Sequence, residues 1–376
     1  MRLLLVSDTY APDVNGVART LATLVAALRS RGHGVMVVTT GDEANAFCVD
    51  HRTVPSVPLP GYRGLRVGLA SRGRLEELIR ECQADVLYVA TETPLGLAAI
   101  RAADRLRVPV ISGFHTNFQT YLEDYHLPGL ETVARRVLTT MHNQTVRTLT
   151  PSHDSADLLR DWGVDNVGVL GRGVDTALFD PARRCEVLRA SWGAGPETPV
   201  TLYVGRMAAE KNLPLAARAF RRVRRLRPDA IGVFVGDGPR WKAMQQEYPE
   251  FVYAGARHGE DLARHYASGD LFVFPSSTET FGNVVLEACA SGLPVVGFDY
   301  AAPRLLVRPG RNGWLAPLEN ETAFLQACER WATAEDHAEM RATARAVASA
   351  HSWSAVISQF EEELLAAAGV TLAQAA

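Results

Sequence analysis

Short, fully apolar runs alternate along this chain with longer stretches whose apolar residues recur at helical spacing. Residues 2–7 form a continuous apolar strand, and the loop 8–16 leads into an amphipathic helix over 17–31, closed by Gly32 before a second strand at 35–39. A helix at 75–82, a strand at 86–90, a helix at 95–106 and a strand at 109–113 continue the alternation, followed by strands at 146–151 and 167–170. Strands apolar on both faces and interleaved with helices predict an α/β architecture with parallel sheets. Residues 47–74, rich in Pro, Gly and Arg, read as a long surface connection.

Around residues 181–199 the periodicity lapses, and a second series begins. It comprises a strand at 200–205, a helix at 213–227, strands at 230–235 and 251–254, and a helix at 261–267. A strand at 271–274 follows, then a helix at 283–291 stopped by Gly292, and strands at 294–298 and 313–315. The remainder is helical in period. A chain of 376 residues exceeds one ordinary core, so two doubly wound domains are expected, residues 1–190 and 196–353, with a final helix over 354–370.

Composition narrows the function classes. Apolar residues make up 47% and charged residues 22%, as in ordinary globular proteins, and a net charge of −3 argues against a dedicated nucleic-acid binder. No apolar run reaches the roughly 20 residues of a membrane span, and the chain opens on a strand rather than a signal peptide. The expected location is therefore cytoplasmic. Five scattered cysteines without a Cys-x-x-Cys pair suggest neither a disulfide framework nor a zinc site. Among 39 basic residues only Lys211 and Lys242 are lysines, which makes Lys211 informative.

The candidate chemistry gathers after strand ends, where open parallel sheets bind ligands beside helix N-termini. Arg206 and Lys211 follow the strand 200–205, and two cations there suit a diphosphate. Gly236, Asp237 and Gly238 form a turn that backbone can bring close to a ligand. Glu279 lies at the edge of the strand 271–274 and Glu287 eight positions later; the alternative is a Glu279 confined to the helix's first turn and a Glu287 on its wet face. The loop 9–16 lacks Gly-x-Gly-x-x-Gly, which disfavours a dinucleotide, although Asn15-Gly16 permits close backbone approach. His115 follows the strand 109–113 within Phe114-His115-Thr116-Asn117-Phe118; a lone histidine is more often a structural residue. The basic amphipathic helix over 126–143 fits either a membrane surface or one-sided packing on a sheet.

Together, Gly205-Arg206…Glu210-Lys211-Asn212, Val235-Gly236-Asp237-Gly238-Pro239 and Glu279-x7-Glu287 resemble the retaining GT-B glycosyltransferases of family 4. Pro12-x-x-Asn15-Gly16-Val17, Phe114-His115-Thr116-Asn117-Phe118 and Arg172-Gly173-Val174-Asp175 look most like the bacterial branch that modifies lipids and envelope glycans. The resemblance implies two Rossmann-like domains facing across a cleft, with the helix over 354–370 packing back onto the N-terminal domain. It implies that Arg206 and Lys211 hold the donor diphosphate and Glu287 the ribose. Glu279, with the backbone of Phe281, Gly282 and Asn283, would hold the transferred sugar and the phosphates. Gly16 would let the N-terminal loop close on the phosphates, alongside donor-side Gly205, Gly236, Asp237 and Gly238. Asn15, His115, Thr116, Asn117 and Tyr121 would line the acceptor side. No Asp-x-Asp is present, which agrees with cations in place of a metal, and no cofactor is implied. The implied reaction moves a hexose, mannose from GDP-mannose foremost, to a lipid or glycan acceptor, with peripheral membrane contact as a further expectation. Rival readings are a UDP-glucose, UDP-glucuronate or UDP-sulfoquinovose donor, a GT-B sugar-nucleotide epimerase, a pyridoxal-phosphate phosphorylase and a non-catalytic nucleotide-sugar binding protein.

Overall fold

The structure is a computed structural model and describes residues 1–13, 15–41, 50–58, 66–115 and 130–369. It divides into two compact units, Met1–Gly171 joined by the chain from Ser354, and Arg172–Trp353. The division falls ahead of the stretch where apolar periodicity lapses. That stretch belongs to the second unit because Arg189, fully buried on the helix Glu186–Ser191, donates to the carbonyl of Ser268 at 2.7 Å and to Asp270 at 3.0 Å.

The first unit is built on seven parallel strands: β1 (Arg2–Val6), β2 (Gly34–Thr40), β3 (His51–Val54), β6 (Val86–Val89), β7 (Val110–Gly113), β8 (Arg147–Thr150) and β9 (Val167–Val169). Their spatial order is β3-β2-β1-β6-β7-β8-β9. The chain winds outward from β1 to β3, then returns to lay β6 on the other side of β1, so the winding reverses between β1 and β6. Between them β4 (Ser56–Pro58) and β5 (Arg66–Gly68) form an antiparallel pair. The described part of the expected surface connection over 47–74 therefore carries three short strands. Its Pro and Gly content hid them, since strands of three or four residues leave no period to read.

The last helix, Trp353–Ala368, packs on this unit through fully buried Phe360 and Leu364. Glu361 meets His33 Nε2 at 2.6 Å and Glu363 meets Arg147 at 3.2 Å.

The second unit repeats the plan with six parallel strands: β10 (Val200–Val204), β11 (Ile231–Val235), β12 (Val252–Gly255), β13 (Leu271–Phe274), β14 (Val295–Phe298) and β15 (Gly313–Ala316). The order β12-β11-β10-β13-β14-β15 reverses between β10 and β13. Two apolar cores line its faces, one around Leu202, Phe272 and Val285, the other around Tyr203, Phe220 and Trp331. Among the described residues no helix is long and apolar enough to cross a membrane.

Candidate functional site

At a reversal point the loops leaving the two flanking strands diverge and open a crevice at their carboxyl ends. In the second unit these loops are the ones after β10 and β13, and they carry the charged residues singled out from sequence. The ammonium of Lys211 is paired with Glu279, joining the two loops, and the side chains are only 17% and 16% exposed. Arg206 is paired with Glu210 four residues on, a carboxylate whose side chain is 1% exposed. Tyr203, buried on β10, donates its hydroxyl to the carbonyl of Arg206 at 3.1 Å. Burial, reinforced by Glu279 and Glu210, keeps that hydroxyl protonated well above the usual tyrosine range.

The glycines explain why these loops approach so closely. A Cβ at Gly236 would lie 1.9 Å from the carbonyl oxygen of Gly205, and one at Gly238 would lie 2.4 Å from that of Met207. The β10 and β11 loops are therefore pressed together, with Met207 N–H donating to the carbonyl of Asp237 at 2.8 Å. The exposed Asp237 accepts from Gly238 N–H at 2.7 Å.

After β13 the chain turns through Phe281, 2% exposed, into the helix Asn283–Ala290. Gly282 takes the left-handed conformation with φ 99° at the helix N-cap, where it has no side chain of its own to cap the first turn. The N–H groups there carry the helix's partial positive charge, an arrangement that favours an anion. Glu287, on the same helix, is buried at 6% exposure and accepts from the hydroxyl of fully buried Tyr266 at 3.0 Å. The wet-face alternative for Glu287 is thus excluded. Residues 285–290 of this helix are all buried, so no single face of it is wet.

In the first unit, the loops after β1 and β6 flank the reversal. Asn15 caps the helix Gly16–Ser30, its Oδ1 accepting from Ala18 N–H at 2.9 Å while its Nδ2 donates to Thr9 at 2.6 Å. Gly16 opens that helix at the surface. His115 is 7% exposed just past β7, with Nε2 2.8 Å from the Tyr88 hydroxyl. Thr116, Asn117 and Tyr121 lie outside the described residues.

Several polar residues at this edge carried no motif. Asp8 accepts from Thr91, Thr93 and the N–H of Gly68, and burial raises its carboxyl above the ordinary range. Burial pushes Glu92 up to about 8 and the His142 imidazole down to about 4. Glu92 Oε1 and His142 Nε2 lie 3.8 Å apart, neither with a hydrogen-bond partner among the described residues, while His142 Nδ1 meets Ser112 at 2.9 Å. Position after a strand end was the one available signal for Asp8 and Glu92. Tyr266 and His142 had none, because their partners are distant in sequence. Among the described residues no group of His, Cys, Asp and Glu is arranged to hold a metal ion.

Residues 14–178 match the family described as Glycosyltransferase Family 4, and residues 198–334 match Glycosyl transferases group 1. A GDP-mannose-dependent alpha-mannosyltransferase of Corynebacterium glutamicum is 34% identical over 366 residues, covering 96% of this chain and 87% of that one. The sulfoquinovosyl transferase SQD2 of Arabidopsis thaliana is 30% identical over 299 residues, covering 75% and 56%. Among solved structures, Anabaena Alr3699/HepE in complex with UDP superposes with a TM-score of 0.77 at 19% identity, covering 97% of this chain and all of that one. WaaG, a glycosyltransferase involved in lipopolysaccharide biosynthesis, gives 0.71 at 18% identity, covering 96% and 99%.

Proposed function

The chain belongs to glycosyltransferase family 4, and from that premise we propose that it transfers mannose from GDP-mannose to a lipid or envelope-glycan acceptor with retention of configuration and without a metal. It has the two-domain α/β fold of GT-B enzymes and is a hexosyltransferase using a nucleotide sugar. The observation that carries the site assignment is the Lys211–Glu279 pair, which joins the two loops flanking the reversal, the second of which leads into the helix N-terminus at Gly282. Three curated relatives bearing the name GDP-mannose-dependent alpha-mannosyltransferase, each 34% identical, favour that donor.

In this reading Arg206 and Lys211 hold the diphosphate, aided by the N–H groups of Phe281, Gly282 and Asn283, and Glu279 holds the sugar. An ammonium has three donors, so Lys211 can keep Glu279 and still meet a phosphate. Glu287, oriented by Tyr266, accepts from the ribose hydroxyls. Gly205, Gly236, Asp237 and Gly238 let backbone line the nucleotide. In the first unit, Asn15, His115, Thr116, Asn117 and Tyr121 serve the acceptor side. As the bond from the sugar's anomeric carbon to the phosphate oxygen breaks, the acceptor oxygen bonds to that carbon on the same face. The acceptor's proton passes to the departing phosphate oxygen, and cations near that oxygen stabilise its charge.

Transfer of glucose or sulfoquinovose from a UDP-sugar is the second reading; the sugars, though not the nucleotide, are those named in SQD2 and in an alpha-monoglucosyldiacylglycerol synthase of Streptococcus pneumoniae at 28% identity. Peripheral contact with an anionic membrane is part of the proposal for lipid acceptors. Exposed Val133 and Val137 share a face of the helix Leu130–His142, which also carries exposed Arg135 and Arg136.

The test is a thermal-shift panel of GDP, UDP, ADP and their sugar conjugates, with and without EDTA, followed by transfer assays on alkyl glycosides and lipid extracts. A shift with GDP and GDP-mannose alone, unaffected by EDTA, and an α-linked product are expected. A shift confined to UDP compounds selects the second reading, and loss of turnover in EDTA overturns metal independence. Donor rearrangement or hydrolysis without transfer indicates the epimerase, and binding without turnover on any acceptor a non-catalytic protein. A visible absorbance band from bound pyridoxal phosphate would point to the phosphorylase.

A further inference from the structure

Tyr88 is fully buried on β6, and its hydroxyl oxygen lies 2.8 Å from Nε2 of His115 at the end of the neighbouring strand β7. Two independent features hold this pair in place. Phe360, from the helix Trp353–Ala368, meets the Tyr88 ring edge-on with centroids 4.9 Å apart. On the other side, Gly113 leaves the space the pair occupies. A Cβ there would stand 2.3 Å from the Tyr88 hydroxyl and 2.4 Å from His115 Nε2. Gly113 has no positive φ, so contact with this pair, not backbone conformation, is the constraint at this position.

A neutral imidazole has one donor and one acceptor nitrogen, and the partner of one nitrogen decides the role of the other. A phenol carries its proton at neutral pH and can donate it to an acceptor nitrogen. We propose that Tyr88 is a positioning residue for sugar transfer: its hydroxyl donates to His115 Nε2, fixes the ring plane and keeps the ring proton on Nδ1. His115 is thereby held in one tautomer and one ring plane at the end of β7. The inference rests on the reading that His115 serves the acceptor side of the proposed reaction, and it extends that machinery through Tyr88 to the last helix of the chain.

Tyr88→Phe removes the hydroxyl while keeping the ring on Phe360. The His115 resonances, identified by their loss in His115→Ala, report the tautomer by imidazole 15N NMR. Kinetics use GDP-mannose, or UDP-glucose if only that donor turns over. The expected wild-type state is the Nδ1–H tautomer, shifting toward Nε2–H in Tyr88→Phe. With it, kcat falls about tenfold to a hundredfold, since small misplacements at a reacting centre have such effects, while donor KM stays within about twofold. Gly113→Ala, which forces the pair apart without altering either member, should move both readouts the same way.

An Nε2–H tautomer in the wild type, or a tautomer unchanged in Tyr88→Phe, overturns the lock. A shifted tautomer with unchanged kcat overturns the positioning role. A wild-type protein that transfers sugar from no donor removes the glycosyl-transfer reading and the positioning role with it, while the NMR arm still decides whether the lock exists.

Discussion

Lys211 is one of two lysines in a chain with 39 basic residues, and it ties together the loops on either side of the second unit's reversal point. Removing it should weaken stabilisation of the leaving diphosphate far more than it disturbs the fold. Lys211→Ala is expected to lower kcat by about 10²- to 10³-fold, the range for deleting one donor to a developing negative charge, with an unchanged circular dichroism spectrum. Near-normal kinetics would remove Lys211 from the site. Glu287→Ala should raise donor KM by about tenfold or more, as loss of a charged hydrogen-bonding partner does. A separate prediction concerns the buried Glu92 and His142. Glu92 ionises near 4.5 when unfolded and near 8 in the folded chain, so across that window folding takes up a proton and stability falls as pH rises. His142 titrates near 6.5 unfolded and near 4 folded, so from 4 to 6.5 stability rises with pH. The two slopes offset between 4.5 and 6.5, leaving Glu92 to act above 6.5. Urea melts should therefore show the wild type losing about 1.6 kcal/mol more than Glu92→Gln between pH 6.5 and 8, at about 1.4 kcal/mol per pH unit at first and about half that near pH 8. Parallel curves for the two proteins would mean that Glu92 ionises normally in the fold.

Elements show which parts of the architecture were legible from local pattern. The parallel strands β1, β2, β10, β11 and β13 announced themselves as apolar runs because both faces of each are covered. Short helices of two turns or fewer, such as Trp241–Glu247 and Ala301–Leu306, did not. The helix Asn283–Ala290 was legible in extent but not in orientation, since burial on several sides erases the apolar-polar contrast that would place Glu287. Lys211 and Glu279 could be placed after strand ends, yet their pairing depends on which strands flank the reversal, a property of topology rather than of either segment. Cap chemistry gives an element-level test. Asn15 holds the first turn of Gly16–Ser30 through Ala18 N–H, so Asn15→Ala should cost about 1 kcal/mol and Asn15→Asp much less. If both variants melt like the wild type and instead lose transfer alone, Asn15 acts on the acceptor and the cap is incidental.

At the scale of the whole molecule, each unit has its own sheet, its own core and its own reversal point, so the chain contains two places where a ligand could settle. Charge separates them. Around β10 and β13 stand Arg206 and Lys211, each paired with one carboxylate yet carrying further donors and exposed at least in part, and a helix N-terminus with glycine at its N-cap. Around β1 and β6 stand Asp8 and Glu92, two buried carboxyls that burial shifts toward the protonated form. An anionic diphosphate is attracted to the former surroundings, whereas carboxyls held toward the protonated form supply no positive charge to bind it. Hydrogen exchange on the full chain, with saturating GDP or UDP and no sugar, should therefore slow exchange over residues 205–212, 236–240 and 279–290. At a hundred times the dissociation constant the ligand stabilises its site by about 2.7 kcal/mol, equivalent to roughly a hundredfold in local opening where opening releases the nucleotide. Protection confined to the loops after β1 and β6 would place the nucleotide in the first unit and reverse the assignment of donor and acceptor sides.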